Sequence, residues 1–545
     1  MVARGACYDP ATMKKHLAAI VFVAGCLLLI ADRVAWASVS QWREDQALSM
    51  WLGSHFFSQP TPVGLLNSVG IPNPNGIAIV GLLLSPLPGL FAVSIFLGCV
   101  SAAAAFVVVV PERKELRRMW PALVVLWSSI HLRGLGVELW GQWLMIPMDL
   151  LFIAASVAYL RRPRLVHWGI VGVLIFAAPA IYLAGLVNAV VFAMVWIAVV
   201  LYAKLRLRRE VTFRWFHVAA TLLPIAVTAF FVTWLPYLRV VSMQGVVHRV
   251  GLPFGQRLKE SFLALVTMPA ALGDLLRCGL APLLQADDIV RPAAFALAAL
   301  SGLAASIQVI VLAVAAVLVI KRKHANGSGL EASVIAALLI VLSFPLSPLL
   351  GGFLWHRGER LDQSIQFLPL LLLILFSVPL SIDHAMVRRT TIVLVVLFGV
   401  TSTMAGLIVV NDHLQYRGPI LSQADVPLIQ KTAAVRWIAN DWRARSHSRP
   451  VPVAYELVGI WRFLPAYGKL VSRWYPGQMS IGRAFDYELL RQYGLANAYE
   501  GLVDRPNQQA RYVVSYAFMP PPSYVSANAS EHLFGRLRVS VQERR

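Results

Sequence analysis

A polytopic all-α membrane domain followed by a soluble α/β domain is the fold class this sequence predicts. Three observations carry that reading. Of 545 residues, 58% are hydrophobic and only 14% are charged, against about 25% charged in a soluble chain. Apolar runs near the length of a membrane span recur up to residue 410, separated by short basic clusters. Beyond residue 411 the composition changes: charges become frequent and apolar runs short.

A spanning helix needs about 20 apolar residues. Runs of that kind lie at 17–36, 90–110, 119–134, 140–160, 166–184, 187–204, 213–237, 291–320, 331–353, 364–382 and 390–410. They predict about eleven transmembrane helices. Lys14 and Lys15 precede the first run, which reads as a retained helix because no clean small-residue cleavage site follows it.

The formal net charge is +21. A nucleic-acid footprint would gather that charge on one soluble face. Here it falls in clusters at 111–118, 161–164, 204–209 and 321–324 and in the pair Arg388–Arg389. That is the distribution the positive-inside rule leaves between spans, so no nucleic-acid partner is expected. With the N-terminus in the cytoplasm, all five clusters become cytoplasmic if 76–110 crosses the membrane once. Ser85-Pro86-Leu87-Pro88-Gly89 interrupts that stretch, because proline removes backbone donors and ends helices. Residues 76–86 are then an interfacial helix and 90–110 the crossing. The outer, periplasmic side receives loops 38–75, 133–140, 238–290 and 354–363 and everything after 411. Loop 238–290 reads as partly helical and amphipathic over 255–285, with Arg257, Lys259 and Glu260 ahead of an apolar stretch.

The resulting organisation is a membrane domain over 1–411 and a periplasmic α/β domain over 412–545, the latter of ordinary domain size. In the tail, residues 424–446 have helical periodicity, with Val426, Ile429, Ala433, Trp437 and Ile438 on one side. Stretches 450–456, 511–518 and 534–542 read as strands. The four cysteines, Cys7, Cys26, Cys99 and Cys278, have neither metal-ligand nor redox spacing and read as apolar filler.

Polar residues collect on three of the outer loops. Arg43, Glu44 and Asp45 follow the first span, with Gln46 and Ala47 next. Such acids suit a solvated helix start, and equally a general base whose pKa partial burial raises. Glu138 is the only acid between Glu115 and Asp149. It is either an ion-pair partner of Arg133 or a functional charge at the bilayer edge. His356, Arg357 and Arg360 lie between two later spans, facing outward against the positive-inside trend. They serve either as snorkelling anchors or as holders of an anion such as phosphate.

These residues resemble the GT-C glycosyltransferases, polytopic enzymes that use polyprenyl-phosphate-linked sugars. Protein O-mannosyltransferases and the lipid A aminoarabinose transferases are members. Glu44-Asp45-Gln46-Ala47 stands where many members have an Asp-Glu-Ala string after the first helix. Pro72-Asn73-Pro74-Asn75 and the apolar segment after it resemble a Pro-rich opening to a similar helix. Arg360 through Pro369 resembles the Arg-Tyr…Pro segment that opens a late helix, with Leu361 where Tyr is usual. A periplasmic α/β tail follows the last span in many members.

The resemblance implies an inverting transfer of a sugar from a polyprenyl-phosphate donor to a hydroxyl of a glycan, lipid or protein. Asp45 would be the base, helped by Glu44. Arg43, Glu138, His356, Arg357 and Arg360 would bind substrate, the arginines and histidine at the leaving phosphate. Some members use a divalent metal, for which Asp45 and Glu138 would be ligands, though two carboxylates do not define a site. Membrane lipids are the surrounding partners, and the cytoplasmic membrane the location. A transporter or flippase of a lipid-linked sugar is the first rival, and needs polar residues deep within the spans. A polysaccharide polymerase or O-antigen ligase is the second, with Arg239, His248 and Arg249 in loop 238–290 as its candidates. A non-catalytic assembly subunit is the third.

Overall fold

A computed structural model of the chain describes residues 62–66, 72–84, 141–209, 213–243, 253–280, 292–322, 328–350, 365–415, 428–445, 453–455 and 511–542, with single positions elsewhere. The chain is mostly helical. A two-stranded antiparallel ribbon, β1 (Val63–Leu66) and β2 (Pro72–Pro74), leads into helix α1 (Gly76–Leu84). Then come α2 (Gly141–Arg161), α3 (Leu165–Ile181), α4 (Gly185–Leu205), α5 (Trp215–Ala229) and, after a π-helical turn Phe230–Trp234, α6 (Leu235–Met243). Helices α7 (Phe254–Leu280), α8 (Pro292–Arg322), α9 (Ser328–Leu349), α10 (Leu368–Ser381) and α11 (Ala385–Gln415) follow.

Six stretches of the described residues are long and apolar enough to cross a membrane: Leu144–Arg161, Gly185–Leu205, Trp215–Val240, Pro292–Ile320, Gly329–Leu349 and Ala385–Ile408. Leu165–Ile181 and Leu368–Ser381 are apolar but shorter. The described residues therefore carry six candidate spans, not eleven. Two of the expected spans are too short for a straight crossing at 1.5 Å per residue. The expected spans 17–36, 90–110 and 119–134 lie almost wholly outside the described residues.

Helices α3, α4, α9 and α10 are apolar around almost their whole circumference, as helices between a core and lipid are. On α4, Val187, Val191, Val195 and Val199 are buried at a spacing of four, while Leu186, Met194, Ile197 and Leu201 stay exposed. One continuous core runs through α2, α3, α4, α9, α10 and α11 and takes in residues of α7 and α8. Phe152 and Phe192 stack within it, ring centroids 4.5 Å apart. Helix α9 packs on α2 and α4 on one side and on α10 and α7 on the other, joining two helical groups.

Between α8 and α11, small and hydroxyl-bearing residues meet, the usual solution where hydrophobic association has no driving force. Ala298 and Ala405 are buried together, and the Ser301 and Thr401 hydroxyls lie 2.6 Å apart. Gln308 donates to the Leu375 carbonyl at 3.1 Å and to the Thr391 hydroxyl at 3.3 Å. The pairs 301–401 and 308–391 make α8 and α11 antiparallel, which brings Arg322 to the same end as Arg388 and Arg389.

Two expectations about amphipathic segments divide. Helix α7 does carry Arg257, Lys259 and Glu260 ahead of an apolar stretch, but it packs on α9 and buries Glu260, Ser261 and Leu275. Helix α1 has no polar residue at all, so it is apolar rather than amphipathic. Its Gly76, Ile77, Ala78, Gly81 and Leu84 are buried.

The tail contains α12 (Leu428–Ala444) and a four-stranded sheet of order β3-β4-β6-β5. Strands β3 (Val453–Tyr455), β4 (Tyr512–Tyr516) and β6 (Leu537–Val541) fall within the three expected stretches. Strand β5 (Ser530–Phe534) was not expected, since Ser530, Glu531 and His532 give it no apolar run; it is a half-exposed edge strand paired with β6. The expected face of α12 is also displaced. Ile429 is 42% exposed and Ala433 is exposed, while Lys431, Ala434, Val435, Ile438, Ala439 and Trp442 form the buried stripe. Arg443, Asn440 and Arg436 occupy the opposite face.

Candidate functional site

One end of the membrane bundle is built from segments remote in sequence. The turn between α3 and α4 lies at its centre. The Asn73 side-chain oxygen accepts from the Leu183 backbone N–H at 2.8 Å, pinning the ribbon to that turn. The Asn75 amide donates to the Val232 carbonyl in the π-helical turn at 3.5 Å. Gly76 begins α1 with its backbone against α3: a Cβ there would stand 2.5 Å from the Ala180 carbonyl. Gly141, at the start of α2, lies against Tyr182 and the Ile181 carbonyl. Pro72-Asn73-Pro74-Asn75 thus does open an apolar helix, and its two amides are what attach that helix to the bundle.

The same end receives the chain just after the first acidic loop. Ser49, four residues beyond Asp45, has its carbonyl oxygen 2.3 Å from where a Cβ of Gly81 would be. Gly53 lies equally close to the Gly81 backbone, and Ser49 and Leu52 are buried. Only paired glycines allow such an approach of two backbones.

Beneath this end lies a polar pair that the sequence reading overlooked. Asp149 is 2% exposed inside the span Leu144–Arg161. It stands eight residues beyond Gly141, about 12 Å along the helix. Asn188 on α4, also buried, has its side chain within hydrogen-bonding reach of the Asp149 carboxyl. The Asp149 Oδ2 atom has no hydrogen-bond partner among the described residues. An acid in the middle of an apolar run was the available signal, since such a group is costly in a bilayer and marks function by default.

The predicted site residues Arg43, Glu44, Asp45, Glu138, His356, Arg357 and Arg360 all lie outside the described residues, as do His248 and Arg249. Their neighbours are described. Pro369 sits in the first turn of α10 after a 3-10 turn at Ile365–Phe367, with Gln366 buried. Among the described residues, no three His, Cys, Asp or Glu side chains gather as a metal site. Asp45 and Glu138 are not among them.

The tail holds a second polar network. The Tyr512 hydroxyl donates to Asp441 Oδ2, and Arg445 Nε donates to the same oxygen at 2.9 Å. Partial burial pushes the Asp441 carboxyl up. The hydrogen bonds from Arg445 and Tyr512 and the charges of Arg445 and Arg511 outweigh it and hold the carboxyl below its ordinary value. Burial and the bond to Asp441 push the Tyr512 phenol up. This network ties α12 to β4. No family model, no curated protein and no solved structure matches this chain.

Proposed function

We propose that the chain is a polytopic GT-C-like glycosyltransferase. It moves a sugar, with inversion, from a polyprenyl-phosphate donor to a hydroxyl acceptor at the outer face of the cytoplasmic membrane. The observation that carries this reading is the convergence at one end of the bundle. The segment that follows Asp45 meets α1 by a close backbone approach, Asn73 holds the Pro-Asn ribbon to the α3–α4 turn, and the buried Asp149–Asn188 pair lies beneath them. Polar groups gathered at the end of an apolar bundle suit a substrate with a sugar phosphate head and a lipid tail.

In this reading Asp45 takes the acceptor hydroxyl proton as that oxygen attacks the anomeric carbon. The bond from the anomeric carbon to the phosphate oxygen breaks on the opposite face. Arg357 and Arg360, with His356, hold the departing polyprenyl phosphate, whose charge grows as the bond breaks. Glu44 supports the base, and Arg43 and Glu138 complete the substrate contacts. A divalent metal held by Asp45 and Glu138 would add charge stabilisation at the phosphate.

The test is transfer of radiolabelled sugar from polyprenyl-phosphate donors by the purified protein, wild type beside Asp45→Asn. A fall of about 10²-fold or more is expected for loss of a general base. Full activity in the variant would remove Asp45 from that role. Buried Asp149 favours one second reading, transport of a lipid-linked sugar. Movement of the donor across proteoliposome bilayers without transfer would support it instead.

A further inference from the structure

The opposite end of the same helices is basic in a way that goes beyond orientation. Between Arg161 and Arg214 the sequence carries eight Lys and Arg residues and one acid, Glu210. The basic residues sit in the last turns of α2 and α4 and in the α2–α3 and α4–α5 connections that follow. The Arg209 Nε atom donates to the Leu160 carbonyl at 3.2 Å, which fastens the two connections side by side. Arg161 and Lys204, in the last turns of α2 and α4, complement the carbonyl ends of those helices. Arg162, Arg164, Arg206 and Arg208 are exposed, and among the described residues they make no ion pair.

Two further observations give this patch a direction and a cost. Trp215 and Phe216 open α5 beside it, 66% and 76% exposed. Trp215 packs edge-on against Trp168, ring centroids 5.7 Å apart. Exposed aromatic rings at the end of a spanning helix mark headgroup depth, so the guanidinium groups lie where lipid phosphates lie. Arg208 has φ +48°, the only non-glycine residue at positive φ among the described residues. It closes α4 by a turn in which the Arg209 N–H donates to the Ala203 carbonyl at 3.0 Å. Glycine holds that position without strain. An arginine there keeps a guanidinium in place at the expense of backbone strain, which is tolerated mainly where it serves a function.

We propose that this surface is a binding site for the phosphate headgroup of an anionic phospholipid from the surrounding bilayer. Arg162, Arg164, Arg206 and Arg208 hold the phosphate, and Trp215 and Phe216 support the upper acyl chain. One acid among eight basic residues leaves this stretch strongly positive, and clustered Lys and Arg at headgroup depth attract anionic over zwitterionic lipid. The site is independent of any transfer reaction at the other end.

The experiment is native mass spectrometry of the full-length protein in detergent, offered equal amounts of phosphatidylglycerol and phosphatidylcholine. The wild type should retain phosphatidylglycerol in clear preference. The variant R162Q/R164Q/R206Q/R208Q should lose about five-fold or more of that preference. The same four positions changed to lysine should keep most of it. R388Q/R389Q, which removes charge at another connection, should leave it unchanged. Equal retention of the two lipids by the wild type would overturn the proposal. So would an unchanged preference in the fourfold glutamine variant, or an equal loss in R388Q/R389Q, which would mean diffuse charge alone. Where the fourfold variant is not monodisperse, R162Q/R164Q and R206Q/R208Q serve in its place. Each should lose part of the preference, and loss in neither would overturn the site.

Discussion

At the residue scale, the tail shows how one carboxylate joins a helix to a sheet. Asp441 accepts from both Tyr512 and Arg445, and its carboxyl is held below the ordinary value near 3.9. A depressed carboxylate contributes its stability above that ordinary value, and the contribution is lost as pH falls through the folded-state pKa. Tyr512→Phe should lower the local stability of β4 by about 1 kcal/mol at neutral pH. Amide hydrogen exchange in the full-length protein would read this, and the difference from wild type should vanish at a pH low enough to protonate Asp441. A difference that persists there would assign the loss to packing. None of this was legible beforehand, because Asp441 and Tyr512 are 71 residues apart. A mid-span acid such as Asp149 was legible in principle. Acids in loops are the less informative ones, because hydration makes a charge there inexpensive.

At the element scale, the apolar runs placed α2 to α4 and α8 to α10 to within about four residues. The run 213–237 covers α5, the π turn and only the start of α6, and α11 extends five residues past each expected end. A bilayer demands unbroken apolar length, and that demand is written locally in the chain. Faces and neighbours are not local. The buried stripe of α12 lies a residue or two away from the expected one, because an apolar Ile429 or Ala433 costs little on a surface. Strand β5 is held by its ladder to β6 and by His532 and Phe534 against Trp437 of α12, contacts no apolar run announces. The ribbon was visible only as Pro72-Asn73-Pro74-Asn75, and its partner, the turn at Leu183, was not. Docking of α1 depends on Gly76. Gly76→Val would drive side-chain atoms into the Ala180 backbone, which cannot yield. The expected cost is about 1–3 kcal/mol, read as a lower thermal midpoint in detergent together with reduced sugar transfer. An unaltered midpoint would mean that α1 is not held in this way.

At the scale of the whole molecule, the two ends of the bundle differ in chemistry. One gathers amides, prolines and close glycine contacts, and the other gathers arginines beside tryptophan. In the proposed topology the arginine end faces the cytoplasm, as the positive-inside rule expects. With native cysteines replaced, a membrane-impermeant maleimide should label Asn528→Cys in cells with a permeabilised outer layer. Arg164→Cys should react only once the cytoplasmic membrane is opened. The reverse pattern would turn the molecule over and remove the periplasmic chemistry proposed for the amide end. The site's own loops were legible as motifs, but their assembly was not, since it depends on which helix ends meet. The π-helical turn at Phe230–Trp234 adds one consequence. A π turn accommodates one residue more than an α-helix of the same span, and here it presents the Val232 carbonyl to Asn75. Deleting Val232 should let the helix close as a regular α-helix over that same span. Leu235 to Met243 should then keep their faces, with Tyr237 still buried, while the carbonyl offered to Asn75 returns to the helix ladder. The extra residue thus acts as an acceptor spliced into a spanning helix, removable by a single codon without turning the rest.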